Sequence, residues 1–117
     1  MQKKKNGLRH LSPVEKDALT EFVDSLRTKL GNNLIRIALF GSKVRGNYTH
    51  DSDLDILVIL AQDDIASLNK IAAVTADIKL HYDVALSPVI FSEYDYQVNK
   101  NMKSPFALAV ESECVML

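Results

Sequence analysis

The apolar positions of this chain change period along its length. Leu19, Phe22, Val23, Leu26 and Leu30 recur at three- and four-residue spacing, which predicts one face of a helix. Ser12 and Pro13 suit its N-cap and first helical position, and Glu15 completes a capping box. Gly31-Asn32-Asn33 ends it, with Lys29 near the negative end of the helix dipole. Two continuous apolar runs follow, at 34–40 and 53–61, and both read as buried strands. Ile65, Leu68, Ile71, Ala72, Ala76 and Leu80 then mark a second long helix. Residues 82–90 alternate poorly, which predicts a third strand buried on both faces or central in its sheet. Two short helices follow at about 93–103 and 105–113, divided by Ser104-Pro105. The final Val-Met-Leu reads as a sheet edge or a docked tail.

The order helix, strand, strand, helix, strand, helices predicts an α/β (α+β) domain: a small mixed β-sheet with helices packed on one face. The connection from 41 to 53 has no room for a full crossover helix, so the first two strands are antiparallel or separated by that loop. A chain of 117 residues fits one domain. We assign residues 1–11 to a flexible basic arm and 12–117 to the domain. Fourteen basic and fifteen acidic residues nearly cancel, so net charge gives no reason to expect nucleic acid or a membrane surface as partner. The single Cys114 excludes an internal disulfide and a cysteine-built zinc site, and fits a cytoplasmic location. The basic start is not followed by the apolar core of a secretory signal, and no apolar run is long enough for a membrane helix.

The chemistry concentrates in residues 41–55, GSKVRGNYTHDSDLD. Gly41-Ser42 ends the first strand, and Asp53 and Asp55 head the second. Side chains i and i+2 of a strand share a face. Two acids so placed are costly to bury unless a cation or hydrogen bonds compensate. Gly41 and Gly46 have P-loop spacing, but Asn47 and Tyr48 replace its Lys and Ser/Thr. Asp51, Asp53 and Asp55 begin like an EF-hand loop, but Ile56 and Gln62 stand where it needs Gly and Glu. No G-x-S-x-G is present. What remains is a glycine turn followed by paired strand carboxylates, a site for a divalent cation and a phosphate chain.

GSKVRGNYTHDSDLDILV resembles the signature of the polymerase-beta-like nucleotidyltransferases, G-S, about ten residues, then D-x-D. It is most similar to their smallest branch, the minimal nucleotidyltransferases, often antitoxins paired with a helical HEPN toxin. The resemblance implies that fold, and a third carboxylate on a neighbouring strand. Asp83, in HYDVAL at the start of the third strand, fits that place better than Asp77 or Asp95 on the helices. It further implies catalytic, metal-binding roles for Asp53, Asp55 and Asp83, holding one or two Mg²⁺. Gly41, Ser42 and Arg45 then bind the phosphates of ATP or another nucleoside triphosphate. Lys43 is a second candidate to neutralise phosphate charge, and Ser42 has a simpler reading as the cap of a short helical turn. Asp51 reads as a loop acid. His50 and His81 read as surface or packing residues, and Tyr94 and Tyr96 as packing against the sheet or a partner.

The implied reaction is attack of a hydroxyl on the α-phosphate with release of pyrophosphate. The residues after Asp83 suffice for one strand and two short helices, so acceptor recognition is expected from another chain or from a very open cleft. The expected activity is AMP transfer from ATP to a HEPN-type toxin, which it neutralises. Two alternatives stand beside it: a binding module that neutralises by occlusion, and a transferase acting on a small molecule such as an antibiotic. An oligomer is compatible with either.

Overall fold

The computed structural model describes residues 8–46 and 53–117. The order is α1 (Pro13–Leu30), a single 3₁₀ turn, β1 (Leu34–Phe40), α2 (Ser42–Arg45), β2 (Leu54–Leu60), α3 (Ile65–Tyr82), β3 (Leu86–Ser92), α4 (Glu93–Asn101), α5 (Pro105–Glu113) and β4 (Val115–Met116). The four strands form one mixed sheet in the order β3-β2-β1-β4. β1 runs antiparallel to β2 and β4, and β2 runs parallel to β3. The parallel pair requires a crossover, and α3 supplies it. The C-terminal Val115–Met116 is thus an edge strand, Val115 lying opposite Leu39.

α1 begins with the expected capping box. Ser12 Oγ accepts from the Glu15 amide at 3.1 Å, and Glu15 Oε1 accepts from the Ser12 amide at 2.9 Å. Phe22 and Leu26, from the predicted stripe, are fully buried. Alternation along the strands splits the core in two. Ile37 and Leu39 of β1 join Leu54, Ile56 and Val58 of β2 under α1 and α3. Ala38, Leu57 and Ile59 point the other way, against Tyr96 of α4 and Val110 of α5. Phe106 closes that second core, packed edge-on to Phe40 with ring centroids 5.5 Å apart.

The mixed α/β architecture matches the sequence reading, with one correction to the layering. Helices cover both faces, because α4 and α5 turn back over the face that α1 and α3 leave open. Residues 1–7 of the expected arm lie outside the described residues; of the remainder, Leu11 is buried and Leu8 packs against the first core. The phase of α3 differs as well. Ser67, Ile71, Val74 and Ile78 face the sheet, while Ile65 and Leu80, counted in the predicted stripe, are exposed. Among the described residues no helix is long and apolar enough to cross a membrane.

Candidate active site

Antiparallel pairing brings the end of β1 to the head of β2, so Phe40 lies opposite Asp55. Gly41 follows with φ 88° and ψ −160°, a backbone region essentially reserved for glycine. A Cβ at this position would overlap Asp55 Oδ2 and come within 3.0 Å of its Cγ. The Asp55 carboxylate therefore lies directly on the backbone of the turn. Gly41, not Ser42, takes the cap position of α2, and its carbonyl accepts from the Val44 and Arg45 amides at 3.1 Å each.

Asp53 stands one residue before β2 and is exposed; Leu54 is buried and Asp55 is half-buried. Burial raises the Asp55 carboxyl above the usual carboxylate range. The charge of Asp53 adds to that rise, Arg45 opposes it, and Glu113 adds a little more. The two predicted acids thus share a site and repel one another. A Mg²⁺ ion takes one or two carboxylates and completes its shell with phosphate oxygens and water. The Asp53/Asp55 pair fits that requirement, because a cation would relieve the unfavourable interaction they now have.

Asp83 is placed differently from expectation. α3 continues through Tyr82, and Asp83 caps its C-terminus in the left-handed region with φ 54° and ψ 37°. β3 begins only at Leu86, and Ser87, not an acid, lies opposite Asp55. The short polar side chain of aspartate tolerates this conformation, which lets the chain turn sharply into the sheet. Its side chain is 91% exposed and ion-paired with Lys79 at 2.9 Å, a contact that lowers the Asp83 pKa. Asp83 and Asp53 nevertheless line the same cleft of about 540 Å³, together with Glu15, Lys79 and Tyr82. Among the described residues, no three His, Cys, Asp or Glu side chains converge closely enough to hold a metal ion. Asp53 and Asp55 are brought together; Asp83 shares the cleft without joining them in a preformed triad.

The basic residues divide. Arg45 is half exposed at the mouth of the turn. Lys43 is only 5% exposed, with Nζ 3.0 Å from Glu15 Oε2. Lys43 thus joins α2 to the start of α1 and is not presented to a phosphate. Asp77 and His81 lie on α3, where the Asp77 carbonyl and His81 Nδ1 are 2.8 Å apart. Asp95 lies in the first turn of α4, where its amide donates to Ser92 Oγ. Tyr96 is buried in the second core, as expected, whereas Tyr94 is exposed. Asp51 and His50 lie outside the described residues.

Sequence reasoning missed Glu113. Its carboxylate accepts from the Gly41 amide at 3.2 Å and from Arg45 Nη1 at 2.9 and 3.1 Å. A signal was present, since Glu113 follows Val110 by three residues on the buried face of α5. An acid there requires a partner.

The model of the nucleotidyltransferase domain matches residues 19–107. Two Methanocaldococcus jannaschii proteins, each named "putative protein adenylyltransferase", are similar to the chain. One is 31% identical over 97 residues, covering 82% of this chain and 91% of its own length. The other is 34% identical over 79 residues, covering 68% and 75%. A solved Sulfolobus solfataricus structure, titled a "putative nucleotidyltransferase", shares the fold with a TM-score of 0.55 at 17% identity. That superposition covers 99% of this chain and 89% of the other. With its glycine turn and paired acids inside the matched segment, the chain belongs to the nucleotidyltransferase domain family.

Proposed function

We propose that this nucleotidyltransferase transfers AMP from ATP, with Mg²⁺, to a hydroxyl of a partner protein. One observation carries the reading: Asp55 lies against the glycine turn, touching the Gly41 backbone, with the Asp53 charge acting on its carboxyl. The names of the two relatives support a protein acceptor and an adenylyl group.

In this reading Asp53 and Asp55 hold the metal. The bound ion supplies Lewis acidity at the phosphate oxygens and lowers the pKa of an oxygen bound to it. Gly41 lets the backbone approach the phosphates, and Ser42, at the first position of α2, supplies an amide and a hydroxyl as donors. Arg45 neutralises phosphate charge from the mouth of the turn. Asp83, across the cleft from Asp53, is the third carboxylate once it exchanges its exposed contact with Lys79. The acceptor oxygen forms a bond to the α-phosphorus while the bond to the bridging oxygen breaks. That electron pair leaves with pyrophosphate, and the hydroxyl proton passes to a carboxylate of the site and on to water.

We place the acceptor in a HEPN-type toxin, by the resemblance to minimal nucleotidyltransferases; this part rests on fold analogy. The test combines purified protein, ATP, Mg²⁺ and a purified HEPN-type partner. Pyrophosphate released in proportion to AMP on the partner, together with neutralisation of the partner, is the expected result. Neutralisation that survives the Asp53→Asn/Asp55→Asn double variant would replace transfer with occlusion.

A further inference from the structure

Glu113 has an unusual position for an acid: 9% exposed, and near the Asp55 carboxylate. It stays there because it holds two donors that belong to the nucleotide side of the site, the Gly41 amide and the Arg45 guanidinium. The contact is one-sided. Arg45 offers Nη1 to both carboxylate oxygens, and among the described residues Nε and Nη2 carry no bond to the protein. The anchored end of the pair is buried, with the Glu113 side chain 12% exposed, and the Arg45 side chain is 48% exposed. A guanidinium is planar and its N–H groups are fixed relative to one another. Holding Nη1 therefore constrains where Nε and Nη2 point. The same carboxylate also fixes the amide of the turn on which Asp55 lies.

We infer that Glu113 is a positioning residue of the nucleotide site: it holds the Gly41 amide and Nη1 of Arg45, so that Arg45 presents its remaining N–H groups to the polyphosphate of the substrate. The inference rests on the nucleotidyltransferase reading and adds to it that the phosphate side of the site is set by α5, a separate layer of the fold. Two consequences distinguish it from general support of the structure. Loss of Glu113 weakens phosphate binding chiefly through Arg45, whose free N–H groups lose their aim. It also raises KM for the nucleotide and leaves kcat within about twofold, because the clamp acts on ground state and transition state alike.

The experiment measures dissociation constants by calorimetry for two probes, Mg-ATP and inorganic tripolyphosphate. The proteins are wild type, Glu113→Gln, Arg45→Ala and the Glu113→Gln/Arg45→Ala double variant, each with its melting temperature. Glu113→Gln is expected to weaken both probes about five- to tenfold, the loss of one charge-assisted contact. Arg45→Ala is expected to weaken them at least as much, and the double variant no more than Arg45→Ala alone. Unchanged affinity in Glu113→Gln beside a weakened Arg45→Ala overturns the inference and leaves the nucleotidyltransferase reading standing. Tighter binding in Glu113→Gln also overturns it, since Glu113 would then compete with phosphate for Arg45. Additive losses in the double variant overturn the route through Arg45. Failure of wild type to bind either probe overturns the inference together with the ATP reading. Should Glu113→Gln melt below the assay temperature, Glu113→Asp carries the test. It keeps the charge but withdraws it by one methylene; weakened binding is expected, and unchanged affinity overturns the inference.

Discussion

Gly41 and Asp55 are in such close contact that one added carbon at position 41 would collide with the carboxylate. The same residue holds a positive φ of 88°. Both the turn and the approach of the acid therefore depend on a missing side chain. Gly41→Ala is expected to cost about 1–3 kcal/mol in chemical denaturation from backbone strain alone. Transfer activity should fall by more than about tenfold as Asp55 is displaced. A Gly41→Ala variant with wild-type stability and activity would mean that the turn is not held as described.

Asp55 yields a prediction with a definite sign. Its folded-state pKa is raised above the ordinary 3.8, by burial first and the Asp53 charge second. The folded state therefore binds a proton more tightly than the unfolded chain. Stability falls as pH rises from about 3.8 through the raised value. Without metal, Asp55→Asn should melt above wild type at pH 7, and the difference should vanish below about pH 3.8. The same variant should lose transfer. Equal melting temperatures across that range would remove the electrostatic basis of the site.

Lys43 and Glu15 join the turn to the first helix. Lys43→Met removes the cation from a carboxylate that also closes the α1 capping box, and is expected to cost about 1–3 kcal/mol. Burial acts to raise the Glu15 pKa, but hydrogen bonds from Ser12 and the contact with Lys43 outweigh it and leave the value lowered. The stability that Glu15 contributes is thus present above about pH 4.5 and is lost as pH falls through the lowered folded-state value. The Lys43→Met penalty should shrink over that same window in urea titrations. A penalty constant from pH 7 to pH 3 would assign Lys43 to packing alone.

Asp83 offers a separation of structure from chemistry. In the left-handed region glycine is unstrained and asparagine is tolerated. Asp83→Gly and Asp83→Asn should therefore melt at or above the wild-type temperature. If Asp83 is the third carboxylate, both should lower transfer by about a hundredfold or more, a loss of about 3 kcal/mol from the transition state. Undiminished transfer would confine Asp83 to ending α3.

Much of this was legible in local pattern. The Ser12-Pro13-Glu15 start of α1 follows from donors at a helix end that need partners, and those lie within three residues in sequence. The Gly41 turn and the Asp53/Asp55 spacing follow from strand alternation and from the one residue type that tolerates the turn. What was not legible depended on distant contacts. The phase of α3 was misread because Ile65 and Leu80 are apolar but lie beyond the sheet's reach, while Ser67 is buried with an Asn33 hydrogen bond at 2.8 Å. The start of β3 was misread because helix and strand are both compatible with the apolar spacing around Tyr82 and Val84. Glu113 was missed because its meaning lies 72 residues away, at the Gly41 amide.

The most direct measurement follows the label. The protein is incubated with Mg²⁺ and α-phosphate-labelled ATP in a lysate of its source cells, beside the Asp53→Asn/Asp55→Asn double variant and a γ-labelled control. The account predicts α-label on a protein band, dependent on Mg²⁺ and on the intact acids, with no γ-label retained. Label transfer by the double variant at the wild-type rate, or no Mg²⁺-dependent transfer of α-label to protein at all, would contradict it.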